Sequence, residues 1–209
     1  MSLHKLVSQL PYEPHYYQRW YIACTSQELR QKPISRTLLG VPLVLFRTES
    51  NSPTALVDRC PHRNMPLSDG RMQRSDTGDS RLVCPYHGWQ FDGKGRCKQI
   101  PGLCSLAEKE RQNAIAYPTQ EQQGFIWVYL SSTADGTPTD APYRFPLQDD
   151  PKSSTFSWQM AAPISLANAA ENFLDATHTH FVHAGLVRTE KRRRKTMVKV
   201  CRTRTSAEA

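Results

Sequence analysis

The sequence has no run of about 18 apolar residues, so no membrane-spanning helix is expected. Its opening residues, MSLHKLVSQLPYEPHYY, lack the apolar stretch of a secretory signal and read as mature protein. Both absences point to a soluble, cytoplasmic chain. A general excess of basic charge is also missing. The net charge is +8, but residues 188–204 hold nine of the 27 Lys and Arg and one of the 19 acids, so that segment alone accounts for it. The body is neutral, which makes nucleic acid an unexpected partner. The run Lys191-Arg192-Arg193-Arg194-Lys195 reads as a solvated segment; a nucleic-acid patch, a targeting signal or a dock for an acidic partner are its other readings.

What is present fits one large domain or two small ones: 209 residues, 38% hydrophobic, with a mean hydropathy of −0.60. Short apolar runs punctuated by Gly and Pro read as strands at 20–24, 41–47, 54–58, 81–84, 90–92 and 125–130. The Asp92-Gly93-Lys94-Gly95 stretch is a hairpin signal. Residues 131–151, rich in Ser, Thr, Pro and Asp, read as a linker or surface excursion. A strand at 155–160 and a helix from about 165 to 183 follow. Trp20, Trp127 and Trp158 sit in strand patterns and are expected in the core, as are Cys24, Cys97 and Cys104; Cys201 lies in the basic segment as a free thiol.

Six cysteines would suit a disulfide framework in a small secreted protein, which this is not. Two of them lie beside His in matched Pro-containing loops, Cys60-Pro61-His62-Arg63 and Cys84-Pro85-Tyr86-His87-Gly88-Trp89. Each loop offers one thiolate and one imidazole, the supply a Rieske-type [2Fe–2S] cluster needs, with both thiolates on one iron and both imidazoles on the other. Gly88 would let the backbone crowd the cluster and Trp89 would shield it. Arg63 is read either as a donor to the cluster sulfides or as a surface ion-pair partner. Zinc is the competing metal, but Cys2His2 zinc sites pair like ligands, whereas here Cys and His alternate.

Residues 40–104, with CPHRNMPLSDGR and LVCPYHGWQFDGKGRC, resemble the Rieske domain of the Rieske non-haem iron oxygenases, the terminal components of ring-hydroxylating systems. The 21 residues between His62 and Cys84 are a few more than the pattern has, the surplus falling in the polar, turn-like residues 72–81. The Rieske proteins of respiratory and photosynthetic complexes carry an extra Cys in each loop; Met65 and Tyr86 stand there instead, and Trp89 replaces a potential-raising Ser, which favours a lower-potential, oxygenase-type cluster. A second stretch, running from Glu171 through Asp175, His178 and His180 to His183, resembles that family's Asp, then His three residues on, then His five further. The resemblance implies a mononuclear Fe(II) on His178 and His183, completing a two-His, one-carboxylate triad with a carboxylate far along the chain. It also implies that Asp175 links the two centres by hydrogen bonds. His178 and His183 lie about 140° apart on an ideal helix, so they converge only if the helix bends, bulges or ends between them, Gly185 being a candidate stop. His180 is off the pattern and reads as an outer-shell or surface residue.

The expected fold is mainly β: a Rieske-type antiparallel β domain over 1–140, with cluster loops at 58–65 and 82–92, then the helix-plus-strand beginning of an α+β catalytic domain over 150–209. After His183 only Glu190 and Glu208 remain, neither a good third ligand, so the chain reads as the N-terminal half of an oxygenase; fragment, frameshifted gene and natural short form stay open. The implied function is O2-dependent hydroxylation or demethylation of a small organic, aromatic substrate. Electrons would come from an NAD(P)H-dependent reductase or a ferredoxin, and the full-length form would be a homotrimer. The alternatives are a Rieske-only one-electron carrier and an inactive truncated oxygenase.

Overall fold

The computed structural model describes Tyr12, residues 16–76, 78–103, 110–131, 136–156 and 158–175, and His178, Val182 and His183. The chain divides into two compact units, Met1–Thr155 and Phe156–Ala209.

The first unit is built of antiparallel β-sheets. Its strands are β1 (Arg19–Thr25), β2 (Ile34–Leu38), β3 (Val41–Arg47), β4 (Pro53–Val57), β5 (Arg71–Arg74), β6 (Ser80–Val83), β7 (Gln90–Phe91), β8 (Cys97–Gln99), β9 (Ala116–Tyr117), β10 (Thr119–Gln122) and β11 (Phe125–Leu130). They form three sheets, ordered β1-β11-β10, β2-β3-β4-β9 and β5-β6-β7-β8. The middle sheet explains the apolar density of VPLVLFR. Successive side chains leave a strand on opposite faces, so Leu43 and Leu45 enter one core with Ala55, Val57, Ile126, Val128 and Leu130. Val44 and Phe46 enter a second core with Leu56, Leu67, Leu82, Phe91, Cys60 and Cys84. A strand buried on both faces must be apolar throughout. Full burial of each Leu or Phe contributes about 1.5–3 kcal/mol.

The expected linker at 131–151 is held in place where it is described. The Gln123 side chain acts like a strand neighbour to Phe145, accepting from its N–H at 2.8 Å and donating to its carbonyl at 3.0 Å. Gln122 donates to the carbonyls of Pro142 and Tyr143, and the Trp20 indole donates to that of Asp140 at 2.8 Å. The polar surplus at 72–81 is a hairpin: β5 pairs with β6 from Arg71↔Val83 to Arg74↔Ser80. Arg74 ties it to Glu49 in the β3–β4 turn. The strands β2, β5, β8, β9 and β10 went unanticipated because their sequences, such as RMQR and TQEQ, carry too few apolar residues to show a period.

In the second unit, α1 spans Leu166–Leu174, capped at its N-terminus by the Ser165 hydroxyl, which accepts from Asn168 N–H at 3.1 Å. It stops well short of the expected end near 183, because Asp175 takes an extended conformation at the C-cap. The strand expected at 155–160 does not form among the described residues, and Trp158, expected in the core, is 70% exposed because no sheet pairs with this stretch. Trp127 is buried and Trp20 half-buried. Cys24 and Cys97 are core thiols, and burial pushes both up to about 11, so they stay protonated and unreactive. Cys104, Cys201, His180, Gly185 and the basic segment lie outside the described residues.

Candidate metal centre

The first loop follows β4 and the second joins β6 to β7. Both loops fold into the same turn. Cys60 N–H donates to the Met65 carbonyl at 2.8 Å, and Asn64 N–H returns to the Cys60 carbonyl at 2.8 Å. Cys84 N–H donates to the Trp89 carbonyl at 2.8 Å, and Gly88 N–H returns to the Cys84 carbonyl at 3.1 Å. The fifth residue of each turn has positive φ, 56° at Asn64 and 71° at Gly88, where only Gly, Asn and Asp sit comfortably. A Cβ at Gly88 would also meet Pro101 Cγ at 3.0 Å. Its glycine is thus required by local backbone conformation and by Pro101.

The turns carry their chemistry in two layers. Cys60 and Cys84 are each 2% exposed and belong to one core cluster. Burial pushes the Cys60 thiol up to about 12, so a thiolate here needs a bound cation. His62 and His87 are exposed above them, their ring centroids 4.7 Å apart and tilted by 58°. Partial desolvation, then the neighbouring His87 and Arg63, hold His62 below the ordinary imidazole range, which favours its uncharged form. Trp89 stacks on His62, centroids 4.9 Å apart and planes within 5°. Tyr86 lies against His87 at 3.8 Å and is 62% exposed. Arg63 is exposed and takes part in none of the ion pairs found among the described residues.

This donor set fits a two-iron cluster better than a single ion. Two thiols face inward as a pair and two imidazoles face outward as a pair. Among the described residues no point gathers three or more His, Cys, Asp or Glu side chains, whereas a structural zinc site gathers four. In a Rieske centre each iron takes only two protein ligands.

One supporting residue had not been singled out. Asp58, 7% exposed, accepts from Ser68 N–H at 2.7 Å, Ser68 Oγ–H at 2.6 Å and Ser35 Oγ–H at 3.1 Å. It pins the start of the first turn to its exit and to β2. The available signal was an Asp closing an otherwise apolar strand, TALVD, two residues before Cys60.

In the second unit, His178 has two pairwise contacts, one with Asp175 and one with His183, without the three forming one cluster; Asp175 caps α1, which ends at Leu174. The Asp175 carboxylate lies 3.5 Å from His178 Nδ1. That contact occupies the Nδ1 side of the His178 ring and leaves its Nε2 side without a contact to Asp175. The rings of His178 and His183 stand edge to face with centroids 5.5 Å apart.

Paired turns with inward thiols and outward imidazoles define a class, and residues 19–110 match the family model of the Rieske [2Fe–2S] domain. The chain is 33% identical over 171 residues to the oxygenase component of dicamba O-demethylase from Stenotrophomonas maltophilia, covering 82% of this chain and 48% of that protein. It is 32% identical over 195 residues to methylxanthine N3-demethylase NdmB from Pseudomonas putida, covering 88% and 52%. The crystal structure of dicamba monooxygenase bound to dicamba superposes with a TM-score of 0.69 at 33% identity, over 79% of this chain and 48% of that one. The chain therefore carries a Rieske domain and is homologous to the alpha subunits of the Rieske non-haem iron oxygenases. It spans about half the length of these relatives. Its kinship implies a [2Fe–2S] cluster and a mononuclear iron. No helix among the described residues is long and apolar enough to cross a membrane.

Proposed function

We propose that Cys60 and Cys84 hold the inner iron of the [2Fe–2S] cluster and His62 and His87 the outer one, in a Rieske domain spanning residues 1–140. His178 and His183 hold a mononuclear Fe(II) in the beginning of a catalytic domain at 150–209. The whole protein is the terminal component of an oxygenase that hydroxylates or demethylates a small organic, aromatic substrate with O2, works in the cytoplasm and assembles as a homotrimer. The observation that carries this reading is the pairing of two buried thiols beneath two exposed, touching imidazoles. When bound, the cluster supplies one-electron redox chemistry and the mononuclear iron supplies a site for O2.

The chain's own residues serve that chemistry in stated ways. The apolar core around Cys60 and Cys84 keeps water from the thiolates. His62 and His87 present imidazole edges at the surface, where a reductase or ferredoxin can approach within electron-transfer distance. Asp175 lies 3.5 Å from His178 Nδ1 and would hold the ring from that side, leaving Nε2 for the metal.

A second reading, a Rieske-only electron carrier, is favoured by the first unit's self-sufficiency: all four cluster residues and Asp58 lie within it. Iron and acid-labile sulfide counted on anaerobically purified chain given Fe(II) separates the two. About three irons to two sulfides supports both centres; about two to two leaves the carrier. Loss of sulfide altogether would overturn the cluster assignment.

A further inference from the structure

We infer that Trp89 is a positioning residue for the other loop's His62, through contacts that join the two turns into one unit. The inference rests on the proposed ligand role of His62. Trp89 works in both turns at once. Its carbonyl closes its own turn by accepting from Cys84 N–H at 2.8 Å. Its indole lies flat on the imidazole of His62, which belongs to the other turn, with planes within 5° and centroids 4.9 Å apart. The indole is half-buried against the core cluster that contains Cys60 and Cys84, so it cannot swing freely. Behind it, Gly88 at φ 71° and Pro101 at 3.0 Å from where a Cβ would stand fix the direction in which Trp89 leaves the backbone.

Among the described residues no comparable hold on His62 comes from elsewhere. His62 is exposed, and the other ring contact found for it among the described residues is with His87 at a 58° tilt. An imidazole at the end of two rotatable bonds otherwise samples several rotamers. Stacking on a wedged indole selects one ring plane, and that plane sets how the imidazole π system meets its iron. Trp89 thus acts on the electronic character of the outer iron without being a ligand.

The test uses the whole chain carrying its cluster, as wild type and as Trp89→Phe and Trp89→Ala. Pulsed EPR of the reduced cluster reads the 14N couplings of the two imidazoles separately, and a chelator reads the rate of iron loss. Trp89→Ala should broaden or shift one of the two 14N couplings and leave the other. It should also speed iron loss about two- to tenfold, the effect of removing an aromatic pair of ordinary strength. Trp89→Phe, which keeps an aromatic face, should restore both. Identical couplings in Trp89→Ala and wild type would overturn the inference, as would equal changes at both imidazoles. If Trp89→Ala fails to take up a cluster, the proton shifts of His62 in the wild-type apoprotein decide: displaced upfield by the indole ring current they support the stack, at ordinary values they refute it. His62→Ala tests the ligand role separately: a Rieske spectrum that survives it removes the reading on which this inference rests.

Discussion

Asp58→Ala should weaken the first unit more than any single surface change and should loosen the first cluster turn in particular. The carboxylate is 7% exposed and takes three hydrogen bonds, from Ser68 N–H, Ser68 Oγ and Ser35 Oγ. Hydrogen bonds to a charged group contribute about 1.5–3 kcal/mol each, and a stranded buried N–H costs about 1–3 kcal/mol. Removing the carboxylate also removes the penalty of burying its charge, which offsets part of that loss. A net cost of about 3 kcal/mol follows, or a Tm lower by roughly 6–12 °C for a chain of this size. Differential scanning fluorimetry of the apoprotein reads it directly. Ser35→Ala, which removes only the longest of the three bonds, should cost about 1 kcal/mol. A double-mutant cycle between Asp58→Ala and Ser68→Ala should show coupling of at least about 1 kcal/mol. A Tm change below about 2 °C for Asp58→Ala, or additive effects in the cycle, would show that the bonds do not hold the turn.

Cys84→Ser should abolish the cluster and its brown colour, and a retained Rieske spectrum would refute the ligand assignment. His178→Ala should leave the cluster spectrum intact and lower only the mononuclear iron content; bleaching of the cluster would refute separate centres. Glu121 is held below the ordinary carboxylate range, first by its hydrogen bond from Arg47, at 2.7 Å. A depressed folded-state value means stability that is present above the ordinary value of 4.5 and is lost as pH falls through the folded one. Urea midpoints should therefore fall below pH 4.5 in wild type and fall less in Arg47→Met; parallel acid limbs would argue against the link. Gly88→Ala should cost about 1–2 kcal/mol from left-handed backbone alone, with more from contact with Pro101, read as lower Tm and slower cluster uptake. Asn64→Gly, at φ 56°, should be close to neutral by the same measures.

The sequence was legible where apolar side chains set the structure. VPLVLFR and FIWVYL are strands because each lies against buried neighbours, and their apolar density records it. Strands made by hydrogen bonds alone were not legible. RMQR forms β5 only because SRLV pairs with it, and nothing local in four polar residues signals a ladder. The helix end was misjudged for a similar reason. No strong breaker stands between Leu174 and His178, and the stop comes from Asp175 adopting an extended C-cap. Trp158 was misjudged because an aromatic in an alternating stretch says that it can be buried, not that a sheet is there to bury it.

The candidate site was legible in its residue types and in the match of its two loops. Both begin Cys-Pro, and only the spacing to His differs, Cys-x-His against Cys-x-x-His. The backbone extends the match to hydrogen bonding: from each Cys, the N–H reaches the carbonyl five residues on and the carbonyl receives the N–H four residues on. One conformation therefore presents both thiols to the core in the same way. The spacing difference falls entirely on the histidines, which leave the common turn at its third and fourth residues. His62 and His87 consequently emerge in different directions and meet at a 58° tilt instead of lying parallel. Equivalent turns account for the like thiols on one side, and the one-residue offset accounts for two imidazoles that converge on the other without occupying the same space. The extra residue in the second loop is Tyr86, which lies against His87, while His62 takes its support from Trp89 across the gap. Each imidazole thus rests on an aromatic ring of the second loop.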